Sequence, residues 1–87
     1  PGVGVLRIVD DSELALPGVL VTLDGGARVA TSDSEGVVRL GPLLPGAHQI
    51  EAQKPGFGKI RARFNVEEGA VSGVEAQVLM SYGGGYD

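Results

Sequence analysis

The one histidine, His48, is the residue best suited to acid–base or metal chemistry in this chain of 87 residues, which contains no cysteine. A nucleophile–base pair or a metal site needs partner side chains that one histidine cannot supply alone. No Gly-x-Ser-x-Gly, His-Glu-x-x-His or phosphate-loop pattern occurs. We therefore predict no enzyme, no catalytic residue, no cofactor and no metal. His48 is interpreted as a core or boundary residue hydrogen-bonded to a neighbour, with metal ligation or general-base chemistry as the alternative.

Four of the eleven acidic side chains stand in two short groups, Asp10 with Asp11 and Asp33 with Glu35. Calcium takes about 6 to 8 oxygen ligands, so two such loops would have to meet to hold it. No EF-hand spacing is present. We predict solvated turn residues here and keep a calcium-binding corner as the alternative.

The concentrated positive feature of the chain is Lys59, Arg61 and Arg63, which share one phase of a strand-like alternation. One interpretation is that these cations pair across strands with carboxylates such as Glu51 or Glu75, which stabilises the sheet slightly. The functional alternative is a contact surface for an acidic partner. These three side chains are therefore the first candidates for partner binding.

Two tyrosines at the end of the chain, Tyr82 and Tyr86, are the other candidates, for a partner recognised by the tail. A ligand-binding module would instead present a concave patch with exposed Phe57, Tyr82 or His48. The aromatic count is low for a platform that stacks sugars, with two Phe, two Tyr and no Trp.

The formal net charge of −4 argues against nucleic-acid binding. No run of Lys and Arg forms a local basic patch that could bind phosphates. No apolar stretch approaches the roughly 18 to 20 residues that a membrane-spanning helix needs, so we expect no direct membrane insertion. Without cysteine there is no disulfide framework. The chain opens on Pro1 rather than Met, and we interpret it as a domain excised from a larger protein.

Hydrophobic residues alternate with a period of two and never of 3.6, which is typical of half-buried strands. We predict strands at roughly 3–9, 18–24, 27–32, 36–40, 46–54, 57–66 and 72–81, with boundary errors of about 2 to 4 residues. Seven short strands at this spacing predict an all-β sandwich or small barrel, and the lack of helical segments to cross between parallel strands excludes a parallel α/β sheet. The predicted inward rows are Val19, Val21 and Leu23; His48, Ile50 and Ala52; Ile60, Ala62, Phe64 and Val66; and Val74, Ala76, Val78 and Met80.

Glycine and proline punctuate these strands at intervals that suit tight turns, as in the Pro-Gly pairs at 17–18, 45–46 and 55–56. Alternation stops at Ser81. We therefore predict one domain over residues 1–80 and a flexible Gly/Tyr linker or tail over 81–87.

The order of these motifs resembles the carboxypeptidase regulatory-like domains over about residues 3 to 80. The matching segments are Val9-Asp10, the Leu-Pro-Gly-Val stretch at 16–23, the Ala-Thr-Ser-Asp stretch at 30–40, the Leu-Leu-Pro-Gly stretch at 43–50, and Pro55-Gly56-Phe57. The resemblance implies an all-β, seven-stranded antiparallel Greek-key β-sandwich of the transthyretin-like (prealbumin-like) type. Two positions depart from the family pattern: His48 replaces a usual aromatic residue, and Glu13 with Leu14 stands where a Gly is common.

The sandwich is also similar to the B-type repeats of collagen adhesins, some of which form an isopeptide bond between a Lys and an Asn or Asp. The predicted first strand offers Arg7 instead of Lys, and the predicted last strand has no Asn or Asp. We expect no such bond, since a guanidinium that stays protonated is a poor nucleophile.

The family resemblance implies an accessory module found beside peptidase domains, in surface proteins, and at the N-terminus of outer-membrane TonB-dependent transporters. We expect a non-catalytic structural or protein-interaction module of a larger exported or cell-surface protein, which spaces or docks neighbouring domains. Its localisation would be extracytoplasmic, and its partners would be other domains of the same protein or a separate protein. The alternatives are a carbohydrate- or peptide-binding module, or the accessory domain of a TonB-dependent transporter; the oligomeric state stays open.

Overall fold

The computed structural model describes residues 1–26, 28–69 and 76–82, and these form seven strands and no helix. The strands are β1 (Gly2–Val9), β2 (Leu20–Leu23), β3 (Arg28–Thr31), β4 (Val37–Leu43), β5 (Gly46–Gln53), β6 (Ile60–Val66) and β7 (Ala76–Leu79). One sheet has the order β4-β1-β7 and the other the order β3-β2-β5-β6. The predicted all-β sandwich is confirmed. Nothing in the described residues could form a membrane-spanning helix.

The pairing of β1 with β7 is parallel, so the prediction of a wholly antiparallel arrangement is wrong for this pair. The other strand pairs, β1 with β4, β2 with β3, β2 with β5 and β5 with β6, are antiparallel. Parallel neighbours need a crossover connection rather than a hairpin. Here β6, in the opposite sheet, precedes β7, so β7 is free to run alongside β1 in the same direction.

The core lies between the two sheets and consists of the inward phase of each strand. In the four-stranded sheet Val21, Leu23, Ile50 and Ala52 are fully buried, and Phe64 and Val66 are nearly so. The three-stranded sheet contributes Leu6 and Ile8, with Val78 and Met80 from the C-terminal strand region. The predicted inward phases are confirmed wherever the structure describes the side chain, apart from half-buried His48, Ile60 and Ala62. Val74 and the side chain of Ala76 lie outside that description.

Strand lengths differ from the predicted bounds where tertiary pairing differs from local alternation. β4 continues to Leu43, beyond the predicted end at residue 40, because it pairs along β1 as far as the match of Gly2 with Leu43. β6 begins at Ile60 rather than residue 57, since Phe57 makes only an isolated bridge with Tyr82.

Two loops near the C-terminal end of β1 share one hydrogen-bonding pattern. In residues 10–14 the Oδ1 of Asp10 accepts from the amides of Ser12 and Leu14 at 2.8 and 3.0 Å. In residues 33–37 the Oδ1 of Asp33 accepts from the amides of Glu35 and Val37 at 2.8 and 2.9 Å. Such side-chain acceptors satisfy the donors of a tight turn.

Ser32 is the buried polar residue that holds the loop before β2 against the end of β3. Its hydroxyl donates to the carbonyl of Leu16 at 2.7 Å and accepts from the amide of Val19 at 2.9 Å. Because both bonds are buried, they fix the Pro17-Gly18 turn relative to β3. This turn places Leu20 at the start of β2 on the outer face of the sheet.

Candidate interaction surface

The outer face of the four-stranded sheet carries the predicted cationic row. The register aligns Thr22 of β2 with Glu51 of β5, and Glu51 with Arg61 of β6. Two residues away on the same face, Leu20 of β2 is aligned with Gln53 of β5. Side chains directly opposite one another on a sheet face lie close enough to interact. This register therefore places Glu51 near both Lys59 and Arg61.

Two of the three predicted cations pair with Glu51. Arg61 Nε donates to Glu51 Oε2 at 3.0 Å, and Lys59 Nζ lies 3.9 Å from Glu51 Oε1. The predicted cross-strand pairing is therefore confirmed for Glu51, whereas Glu75 lies outside the described residues. Both cationic side chains are more than half exposed. Exposed pairs of this kind contribute at most about 1 kcal/mol, so they leave the charges open to a partner.

Arg63 lies opposite Gln49 and has no carboxylate within 4.0 Å among the described residues. It lines a shallow depression together with Asp24, Ala47, His48 and Gln49. Lys59, Arg61 and Arg63 thus lie along one exposed edge of the sheet face, and one carboxylate serves the first two. We call these three residues the cationic row.

An apolar groove of about 510 Å³ adjoins the cationic row at the Lys59 end. Its apolar lining comes from Leu20, Pro55 and Phe57, and its basic lining from Lys54 and Lys59. Lys54 Nζ donates to the carbonyl of Pro17 at 2.5 Å, which holds this side chain at the rim. We call this feature the Leu20 groove.

Tyr82 packs against Phe57, one of the residues that line the Leu20 groove, with ring centroids 4.3 Å apart. Its hydroxyl donates to Asp10 Oδ2 at 3.3 Å, and next to it Ser81 Oγ donates to Asp11 Oδ1 at 2.8 Å. Desolvation of the hydroxyl raises the pKa of the Tyr82 phenol, and the charge of Asp10 adds to that shift. The first two residues of the predicted tail therefore contact the domain body, while Tyr86 lies outside the described residues.

His48 has both ring nitrogens engaged. Nδ1 lies 2.6 Å from Asp24 Oδ2, and Nε2 lies 2.8 Å from the carbonyl oxygen of Leu44. The ring stacks on Phe64 at a centroid distance of 5.9 Å. The hydrogen bond to Asp24, followed by that to Leu44, raises the pKa of His48. This geometry is the predicted boundary histidine hydrogen-bonded to its neighbours.

Asp10 and Asp33 have structural roles in their loops. The amide of Leu14 lowers the pKa of Asp10 most strongly, and the amide of Val37 does the same for Asp33. Their Oδ1 atoms face backbone donors of their own loops. Over residues 1–26, 28–69 and 76–82, no group of three or more His, Asp or Glu side chains converges as metal ligands would.

The groove was not identified as a site from the sequence, although one signal was present. Leu20 is a large apolar residue at an outward phase, between the buried Val19 and Val21. A single exposed leucine is ordinary on a protein surface. It gains meaning here because Phe57, distant in sequence, lines the same groove.

Comparison with known proteins gives one family match. The model of the carboxypeptidase regulatory-like domain matches residues 5–79. A comparison with curated proteins gives no match. The matched segment begins within β1 and runs to the end of β7, which is most of the chain. The family match supports a non-catalytic module of the immunoglobulin-like or prealbumin type, and the chain belongs to the carboxypeptidase regulatory-like domain family.

Proposed function

We propose that this domain is a non-catalytic protein-interaction module of a larger exported or cell-surface protein. It spaces or docks neighbouring domains, and its contact surface is the outer face of the four-stranded sheet with the cationic row. The partner surface is acidic. Family membership supports the accessory role, and the sheet face supports the contact site.

The charge distribution is the observation that carries this proposal. The chain has a net charge of −4, yet residues 52–66 contain four cations, Lys54, Lys59, Arg61 and Arg63, and no carboxylate. Glu51 is the acidic side chain that contacts two of them. A positive face on an acidic protein steers an acidic partner to that face and disfavours other orientations.

Binding of a short acidic peptide tests the contact site. The probe is a peptide of alternating Glu and Thr, titrated into the 87-residue chain while amide NMR shifts are followed. We expect shifts at β5 and β6 that weaken as salt is raised from about 0.05 to 0.3 M, because exposed charges are screened over this range.

Two variants distinguish an effect of the cationic row from an effect of the net charge of the domain. Replacing all three residues, Lys59→Gln, Arg61→Gln and Arg63→Gln, should abolish the shifts. Arg39→Gln, on the opposite sheet, should leave them in place. A wild-type domain that shows no response to the peptide, or equal loss in both variants, would refute the proposed surface.

The reading frame around this segment tests the exported setting. A signal peptide upstream with a peptidase domain, a transporter barrel or further copies of this module would support an exported accessory domain, and it would name the neighbour. A frame without an export signal that encodes a cytosolic enzyme would contradict the localisation.

A further inference from the structure

The Leu20 groove lies directly beside the cationic row, and the two share Lys59. Leu20 is 37% exposed at an outward strand position, and Phe57 and Pro55 lie with it in one depression. Val21 and Leu23 of β2 already pack in the core, so Leu20 is not needed to cover the inner face of the sheet. The groove therefore offers apolar surface in excess of what the domain itself uses.

The groove is also built to keep its shape. Phe57 packs against Tyr82, whose hydroxyl is bonded to Asp10. Lys54 is held at the rim by its bond to Pro17. A preformed pocket loses little conformational entropy when a side chain enters it, which favours binding.

The charges around the groove identify the chemistry of its occupant. Lys54 and Lys59 line the groove together with its apolar residues, and Arg61 lies one outward position beyond Lys59. An apolar side chain in the groove would therefore lie next to cations. Neighbouring carboxylates on the same ligand would complement those cations.

We infer that the Leu20 groove receives one apolar side chain of an extended acidic peptide segment, with the flanking carboxylates of that segment against Lys59 and Arg61. This inference rests on the proposed acidic partner and adds the anchor residue that the partner carries. The cationic row provides orientation and a fast approach, and the groove provides selectivity.

A pair of peptides tests the anchor separately from the charge. Both alternate Glu with Thr, and one has a central Leu where the other has a central Ser. We expect the Leu peptide to bind about tenfold more tightly, since burying a leucine side chain removes a large apolar area from water. The dissociation constants come from titrations followed by amide NMR shifts.

Two variants of exposed apolar residues provide the matched control. Leu20 and Val29 both project from the outer sheet face, but only Leu20 lines the groove. Leu20→Thr should remove the preference for the Leu peptide while leaving the salt-dependent binding of the Ser peptide. Val29→Thr should leave both affinities unchanged.

The outcomes distinguish the two claims. Equal affinity for the Leu and Ser peptides would overturn the groove and leave the acidic contact surface standing. No binding of either peptide would overturn both. A preference for Leu that survives in Leu20→Thr would place the anchor elsewhere and would also overturn this assignment.

Discussion

Glu13 and Gly36 occupy equivalent positions in the two matching loops at residues 10–14 and 33–37. Both have positive φ, 64° at Glu13 and 78° at Gly36. At Gly36 a Cβ would lie 2.5 Å from the backbone oxygen of Ile8, so both the conformation and the space require glycine. Glu13 is exposed and adopts a left-handed conformation that costs an L-residue about 1 to 2 kcal/mol.

We predict that Glu13→Gly stabilises the domain. Relief of the left-handed strain exceeds the unfolded-state entropy of glycine, which costs roughly 0.5 to 1 kcal/mol, so a net gain of up to about 1 kcal/mol is expected. The free energy of unfolding in urea measures the effect. Glu13→Ala is the control and should show no such gain. Lower stability of Glu13→Gly would contradict the assigned strain.

His48 is positioned so that only its protonated ring can donate to both neighbouring acceptors, Asp24 and the Leu44 carbonyl. Arg63 lines the same depression and is the other charge near the ring, while Phe64 covers one face. The pKa of Asp24 is lowered, most strongly by the amide of Gln49 and then by His48. His48 of β5 thus links Asp24, in the turn after β2, to the Leu44 carbonyl, in the turn after β4, and we call this arrangement the charged clamp.

The pKa directions predict how stability depends on pH. The pKa of His48 is raised above its ordinary 6.5, so its contribution is complete below about pH 6.5 and is lost as pH rises through the folded value. The pKa of Asp24 is lowered, so its contribution is present above about pH 4 and lost as pH falls through the folded value. Together they favour mildly acidic conditions.

Urea denaturation between about pH 5 and pH 9 checks this prediction. The free energy of unfolding of the wild-type domain should decrease as the pH rises above about 6.5 and through the raised pKa of His48. In His48→Gln this decrease should be largely absent. An identical pH profile in the two proteins would show that the clamp does not contribute.

At the scale of the elements, β3 is a short strand at the edge of its sheet, and Arg28 links it to the opposite sheet. Arg28 Nη1 donates to the carbonyl of Gly41 at 2.9 Å, and Nη2 to that of Pro42 at 3.3 Å. Val29 and Thr31 are exposed, and only Ala30 is partly buried against the core. The attachment of β3 at this side therefore depends on these hydrogen bonds as well as on its pairing with β2.

We predict that Arg28→Met accelerates amide hydrogen exchange in β3 with little change in β5 and β6. Hydrogen bonds from charged groups are worth about 1.5 to 3 kcal/mol, and exposure reduces that value here. Arg39→Met, which removes an exposed cation from β4, is the control and should leave the exchange of β3 unaltered. Uniform acceleration across the domain would contradict a local role for Arg28.

At the scale of the whole molecule, stability depends on one small core between two sheets. A chain of this size buries about 60 to 65% of its unfolded surface, so each inward position contributes substantially. Val21 is fully buried, whereas Val29 is 63% exposed on the neighbouring strand. The same substitution at these two positions therefore compares the two faces of one sheet.

Val21→Asp should unfold the domain, because an unpaired carboxylate would be buried at a cost of several kcal/mol, comparable to the total stability of a small domain. Val29→Asp should remain folded with a small loss. Circular dichroism and thermal melting distinguish these results. A folded Val21→Asp variant with unchanged melting temperature would refute the inward assignment.

Much of the architecture follows from local alternation. The inward rows of β2, β5 and β6, the turns at Pro-Gly pairs and the outward cationic row could all be predicted, because strand geometry sends successive side chains to opposite faces wherever the strand lies. The motif order also predicted the family. These features depend on residues close together in the chain.

Other features depend on which distant segments of the chain come into contact, and local sequence patterns do not contain that information. The sequence by itself determined the fold class, the buried phases and the positive strand face. Only the tertiary structure decided the parallel pairing of β1 with β7, the partners of His48, and the contact of Tyr82 with Phe57. It also brought Leu20 and Phe57 into one groove, since that juxtaposition arises from β2 and β5 pairing and from the chain's return after β5.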